Sequence, residues 1–165
     1  MGNDCSLLAK QAKALIENVP YLTANLANLS ALIYESFPEI NWAGFYILMN
    51  DILVLGPFQG KPACVTIPFG KGVCGTAVLE DRTVIVEDVH QFAGHIACDS
   101  ASESEIVLPI HNGGVLWGVL DIDSPVKNRF TEEDKSVLEE LIKVLEEDLF
   151  KSVDRECWFD GGILT

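Results

Sequence analysis

Three of the five cysteines, Cys64, Cys74 and Cys98, fall in the middle third of the chain. The last of them stands in HQFAGHIACDSASESEIVLPI, residues 90–110, with two histidines, an aspartate and two glutamates ahead of a short apolar run. A thiol acts as a nucleophile only when ionised. With a pKa of about 8.5 it is only about 3% thiolate at pH 7, and lowering that pKa by about one unit raises the fraction to roughly a quarter. His95, three residues from Cys98, and the N–H groups of the surrounding loop are the local features that favour the thiolate. Cys98 also reads as a small buried hydrophobe, the commonest state of a free cysteine, and its spacing leaves both readings open. Cys74, in GKGVCG, sits near a predicted helix start where the helix dipole favours a thiolate, and Cys64 opens a predicted strand. The Cys-x9-Cys-x23-Cys spacing lacks the close ligand pairs of structural zinc sites, so no bound metal is expected. GKGVCG also lacks the GKS/T ending of a phosphate loop and follows no parallel strand-helix unit. Its glycines are expected to turn the backbone into a short helix.

The carboxylates divide by position. Those of EEDKSVLEELIKVLEED alternate with apolar positions and read as a solvated helix face. Asp121 and Asp123 alternate on GVLDIDS, which puts both on one side of a sheet. With Glu105 joining them, such a group would raise at least one carboxyl pKa and keep a proton available near neutrality. The other reading is a pair of exposed aspartates at the end of a turn.

Several elements must position these groups. Leu7, Leu8, Ala12, Leu15 and Ile16 predict one amphipathic helix, and Leu26, Leu29, Leu32 and Ile33 a second that ends before Pro38. NWAGFYILMNDILVLGPF reads as a β-hairpin turning at Asn50-Asp51. CVTIP, TVIVED, SEIVLPI and VLWGVLDID are four more strands, the last two joined through HNGG. GKGVCGTAVLED reads as a short helix between the third and fourth strands. Thr131 as N-cap, with Asp134 three residues on and a stripe from Val137 to Leu149, predicts a closing helix. Together these give an α+β chain: a six-stranded antiparallel sheet with helices packed on one face and a lid loop on the other. The lid is the run of about 15 residues between VIVED and SEIVLPI, too long for an ordinary connection, with Phe92 and Ile96 to fold it onto the body.

Composition narrows the classes of function. The chain has 165 residues, of which 48% are apolar and scattered among charges, enough for one core without a run that could span a membrane. A single domain over 1–152 and a C-terminal tail over 153–165 are expected. Eleven Lys and Arg against 25 Asp and Glu give a net charge of −14, which repels phosphate backbones and anionic lipid, so neither nucleic acid nor membrane is an expected partner. An odd cysteine count without a secretory leader predicts reduced thiols in a soluble, cytoplasmic protein, where any disulfide is transient.

Taken together, NWAGFY, LVLGPFQGKPACV, IPFGKGVCGTA, DVHQFAGHIACDSASESEIVLPI and GVLDIDSP strongly resemble the free methionine-(R)-sulfoxide reductase family, single-domain enzymes with a GAF fold. The likeness runs from about Asn41 to Phe130. One departure is Ala93, where the family commonly has proline; it removes no reactive group. The resemblance implies that Cys98 attacks the sulfur of free L-methionine-(R)-sulfoxide while a carboxylic acid protonates the departing oxygen, leaving methionine and a sulfenic acid. Cys64 would condense with that sulfenic acid to a disulfide, and thioredoxin would serve as electron donor, with no bound cofactor. Cys74 matches the third family cysteine, and backup, structural and nucleophilic roles remain open for it. Trp42 would offer the methylthio end an aromatic wall, against ordinary strand packing as the plainer reading. Glu105, Asp121 and Asp123 would hold the sulfoxide oxygen through a shared proton or the substrate ammonium through charge. A homodimer through the terminal helices follows by the same analogy. The rival readings are a non-enzymatic GAF sensor for a small ligand and a redox sensor whose disulfide is the output.

Overall fold

The computed structural model describes residues 6–94 and 100–151. The expected C-terminal tail, together with His95 and Cys98, therefore lies outside the described residues.

The chain opens with α1 (Leu7–Ile16), whose N-cap Ser6 accepts a hydrogen bond from the Ala9 N–H, and α2 (Leu22–Ser36). Strands β1 (Trp42–Met49) and β2 (Ile52–Gly60) meet at Asn50 and Asp51, both at positive φ, the backbone that a tight hairpin requires. Next come β3 (Thr66–Pro68), α3 (Gly72–Glu80) and β4 (Val84–Val86). A second hairpin joins β5 (Ser104–Asn112) to β6 (Val115–Ser124). Helix α4 (Glu132–Asp148) closes the domain behind a reciprocal cap between Thr131 and Asp134.

The six strands form one antiparallel sheet in the order β3-β2-β1-β6-β5-β4. Strand alternation divides its side chains between two apolar layers. On one face Phe45, Ile47, Ile106, Leu108, Leu120 and Ile122 pack against α1, α2 and α4, through residues such as Leu29, Ile33, Leu141 and Leu145. On the other, Trp42, Tyr46, Val107 and Val119 meet Cys74, Ala77 and Val78 of α3. The three longer helices thus cover one face as expected, and the short helix takes the opposite one. Topology dictates that departure. β3 and β4 are the two edges of the sheet, so the segment joining them must cross its whole width. Gly75 lets α3 settle close to β3, because a Cβ there would lie 2.7 Å from the Pro68 carbonyl oxygen.

Beyond the last residue of α3, Asp81 is tied across the molecule. His111 Nε2 lies 2.9 Å from Asp81 and Nδ1 lies 2.9 Å from Glu146 on α4. Among the described residues no helix is long and apolar enough to cross a membrane.

Leu141 is fully buried between α4 and the sheet. Leu141→Ala is expected to cost about 2–5 kcal/mol, read as a lower urea midpoint at unchanged slope.

Candidate active site

The face that carries α3 gathers the acidic residues. Antiparallel register sets Asp123 opposite Trp42 and Asp121 opposite Gly44 on β1, and Glu105 of β5 opposite Asp123 of β6. Period-two alternation then points Trp42, Tyr46, Glu105, Asp121 and Asp123 to the same side. Cys74 descends on them from the first turn of α3, its Sγ 3.9 Å from Glu105 Oε1. The sulfur and one oxygen each of Glu105 and Asp121 lie within 4.8 Å of one another. Cys74, Glu105 and Asp121 are only 2%, 7% and 6% exposed, while Asp123 is half-buried at the rim. Asp121 Oδ1 has no hydrogen-bond partner among the described residues.

Burial is the first influence on the protonation of this group. It drives the Glu105 carboxyl well above the ordinary range, and the charges of Asp121 and Asp123 drive it further. Burial also raises Asp121 to about 6, against the opposing pull of hydrogen bonds from Cys74 and Glu105. The Cys74 thiol is likewise pushed well above its usual value, first by burial and then by Asp121 and Glu105. The dipole of α3, expected to favour a thiolate, is outweighed: Cys74 is a neutral thiol. Burial, then the neighbouring Asp121, keeps the Tyr46 phenol neutral as well.

An aromatic wall stands beside the acids. Trp42 stacks on Phe58 at 5.1 Å and on Tyr46 at 5.9 Å between ring centroids. Gly44, between Trp42 and Tyr46 on the strand, makes room for this; a Cβ there would overlap Phe58 and Trp42. The Trp42 indole N–H donates to the Lys61 carbonyl at 3.1 Å, and the Tyr46 hydroxyl donates to the Cys64 carbonyl at 2.9 Å. Both bonds hold the segment that carries Cys64 against the site. Cys64 itself lies two residues ahead of β3 rather than within it, half-buried and disulfide-bonded, whereas Cys74 is a free thiol. Tyr46 was not singled out from the sequence, although its place four residues after Trp42 on one strand puts it on the same face.

The long loop leaves the sheet through a tied neck. Asp88 caps a single 3-10 turn, Val89–Gln91, and accepts a 2.8 Å bond from Lys127. The Val89 N–H donates to the Glu103 carbonyl at 2.9 Å, and the His90 ring lies 3.4 Å from the Glu103 carboxylate. Phe92 packs against the site-side apolar layer, as expected of it, while Ile96, the other residue expected to fold the loop down, lies outside the described residues. Among the described residues, two groups have ligand atoms close enough for a cation: Cys74, Glu105 and Asp121, and Asp88, His90 and Glu103. In the second, Asp88 already accepts from His90, Gln91 and Lys127.

Residues 15–147 match the GAF domain family. A free methionine-R-sulfoxide reductase of Escherichia coli is 56% identical over 142 residues, covering 86% of this chain and 86% of that protein. Protein YtsP of Bacillus subtilis is 57% identical over 148 residues, 88% of this chain and 91% of its own. The solved structure of fRMsr of Staphylococcus aureus in complex with substrate superposes with a TM-score of 0.83 at 54% identity, covering 90% of this chain and 97% of that one. The chain belongs to the GAF-fold family of free methionine-R-sulfoxide reductases.

Two outcomes follow from this geometry. Gly44→Ala is expected to cost about 1–3 kcal/mol by overpacking and to change the fluorescence of the tryptophans as the Trp42 stack is displaced. For Asp121 the folded-state pKa lies above the unfolded one, so ionisation favours unfolding and stability falls as pH rises from about 4 through about 6. Asp121→Asn is therefore expected to be more stable than the parent by about 2–3 kcal/mol at pH 8, with the difference closing toward pH 4 in urea titrations.

Proposed function

We propose that the protein reduces free L-methionine-(R)-sulfoxide to methionine with its own cysteines, and that thioredoxin restores it. The reading is supported above all by one observation: two buried carboxyl groups, both raised above the usual carboxylate range by burial, lie together beside an aromatic wall, in a chain whose near relatives include proteins named for this reaction.

Cys98, as thiolate, attacks the sulfoxide sulfur. The oxygen leaves that sulfur for Cys98 while the Glu105–Asp121 carboxyl pair supplies the proton, so methionine departs and Cys98 becomes a sulfenic acid. The sulfoxide sulfur gains two electrons and the cysteine sulfur loses them. The Cys64 thiol then displaces water from the sulfenic acid and forms the disulfide, which the dithiol of thioredoxin reduces by exchange. The disulfide at Cys64 and the free thiol at Cys74 support this division of labour between the cysteines. In this reading Trp42 lines the methylthio end, and Asp123, half-buried on the same face, meets the substrate ammonium. A methionine inside a polypeptide has no free ammonium to offer there.

The test is NADPH consumption coupled through thioredoxin and its reductase. Free methionine-R-sulfoxide should be turned over, with the S epimer and a peptide-bound sulfoxide far behind. Cys98→Ser should abolish turnover, and Glu105→Gln should slow it by about 10²–10⁴-fold. Absence of turnover with either free epimer would overturn the reading in favour of a sensor.

A further inference from the structure

Cys74 has no task in the two-cysteine cycle above, yet it is the thiol packed against the carboxyl pair. Resting on that reading of the reaction, we propose that Cys74 is a positioning residue: its neutral S–H donates to the Glu105–Asp121 pair, fixing which oxygen carries the shared proton, and takes no part in the redox cycle.

Several observations carry this. The sulfur lies 3.9 Å from Glu105 Oε1, within reach of a thiol donor, and it is 2% exposed. It is a free thiol while Cys64 is disulfide-bonded. Its helix start is fixed in place, since the Gly75 N–H donates to the Lys71 carbonyl and the Gly70 N–H to the Gly75 carbonyl, both at 3.0 Å. Among the described residues, the groups facing the carboxyl pair are Asp123 from β6, Tyr46 from β1 and Cys74 from α3; β4 contributes Val84 and Val86. Of these, Tyr46 and Cys74 carry a proton to donate, and the Tyr46 hydroxyl is committed to the Cys64 carbonyl at 2.9 Å. Asp121 Oδ1, buried and unpartnered, is left open for the donor a substrate brings.

The chemistry follows from the two states of a carboxyl. A donor aimed at its oxygen favours the ionised form. Cys74 therefore offsets part of the burial that holds the proton in place, and so loosens that proton for delivery to the departing oxygen. No bond to Cys74 forms or breaks.

The experiment compares the pH dependence of kcat/KM for free methionine-R-sulfoxide in the parent, Cys74→Ser and Cys74→Ala, each coupled to thioredoxin. Serine keeps a donor; alanine does not. Cys74→Ser is expected to turn over within about threefold of the parent with the same alkaline limb. Cys74→Ala is expected to lose about tenfold in kcat, with the alkaline limb moved up by about one pH unit because the proton is held more tightly. An unmoved limb in Cys74→Ala would overturn the proposal, as would loss of turnover in both variants, the mark of a redox role. A parent without turnover would instead sink the reductase reading and this proposal with it.

Discussion

Two buried carboxyl groups and a thiol, with a third acid at their rim, share one face of the sheet, and burial raises the carboxyl pKa of both Glu105 and Asp121, that of Glu105 further through the neighbouring acids. Like charges at such separations in a poorly solvated site cannot all be ionised, so the group must retain protons. That constraint works against the stability of the fold. It is tolerated because Glu105 and Asp121 project from central strands, each paired on both sides. The opposite face of the same strands is sealed by the large apolar layer under α1, α2 and α4, so the backbone that presents the acids has little freedom to splay them apart.

The remaining parts of the site are arranged around this charge problem. Crossing from one sheet edge to the other, α3 roofs the acids and supplies the thiol. The stack of Phe58, Trp42 and Tyr46 closes a side, and through two backbone carbonyls it fixes the segment bearing Cys64. The loop that carries Cys98 is tied at its neck by Asp88, Lys127 and Glu103. A site of this kind suits a reaction whose difficult step is delivering a proton to an oxygen as it leaves sulfur.

Much of this was legible in the sequence, because the signals were local. Period-two alternation fixed the shared side of Asp121 and Asp123, positive-φ residues marked both hairpins, and the Thr131–Asp134 pair marked the start of α4. What escaped was set by long-range topology. The face taken by α3 depends on β3 and β4 lying at opposite edges, which no local pattern encodes. The state of Cys74 turned on the same point. A helix dipole is visible in a short window, but the burial and the two carboxylates that overrule it come from β5 and β6, some 30 to 50 residues further along the chain. Cys98 was singled out by the company of its loop and lies outside the described residues.

The most direct test of the shared buried proton is infrared spectroscopy of the reduced protein at pH 7, reading the carbonyl stretch of a protonated carboxyl group. A proton held between Glu105 and Asp121 predicts such a band at neutral pH, lost in Glu105→Gln and fading in the parent only as the pH rises further. A spectrum at pH 7 in which every carboxyl is ionised, with no difference between the parent and Glu105→Gln, would contradict it.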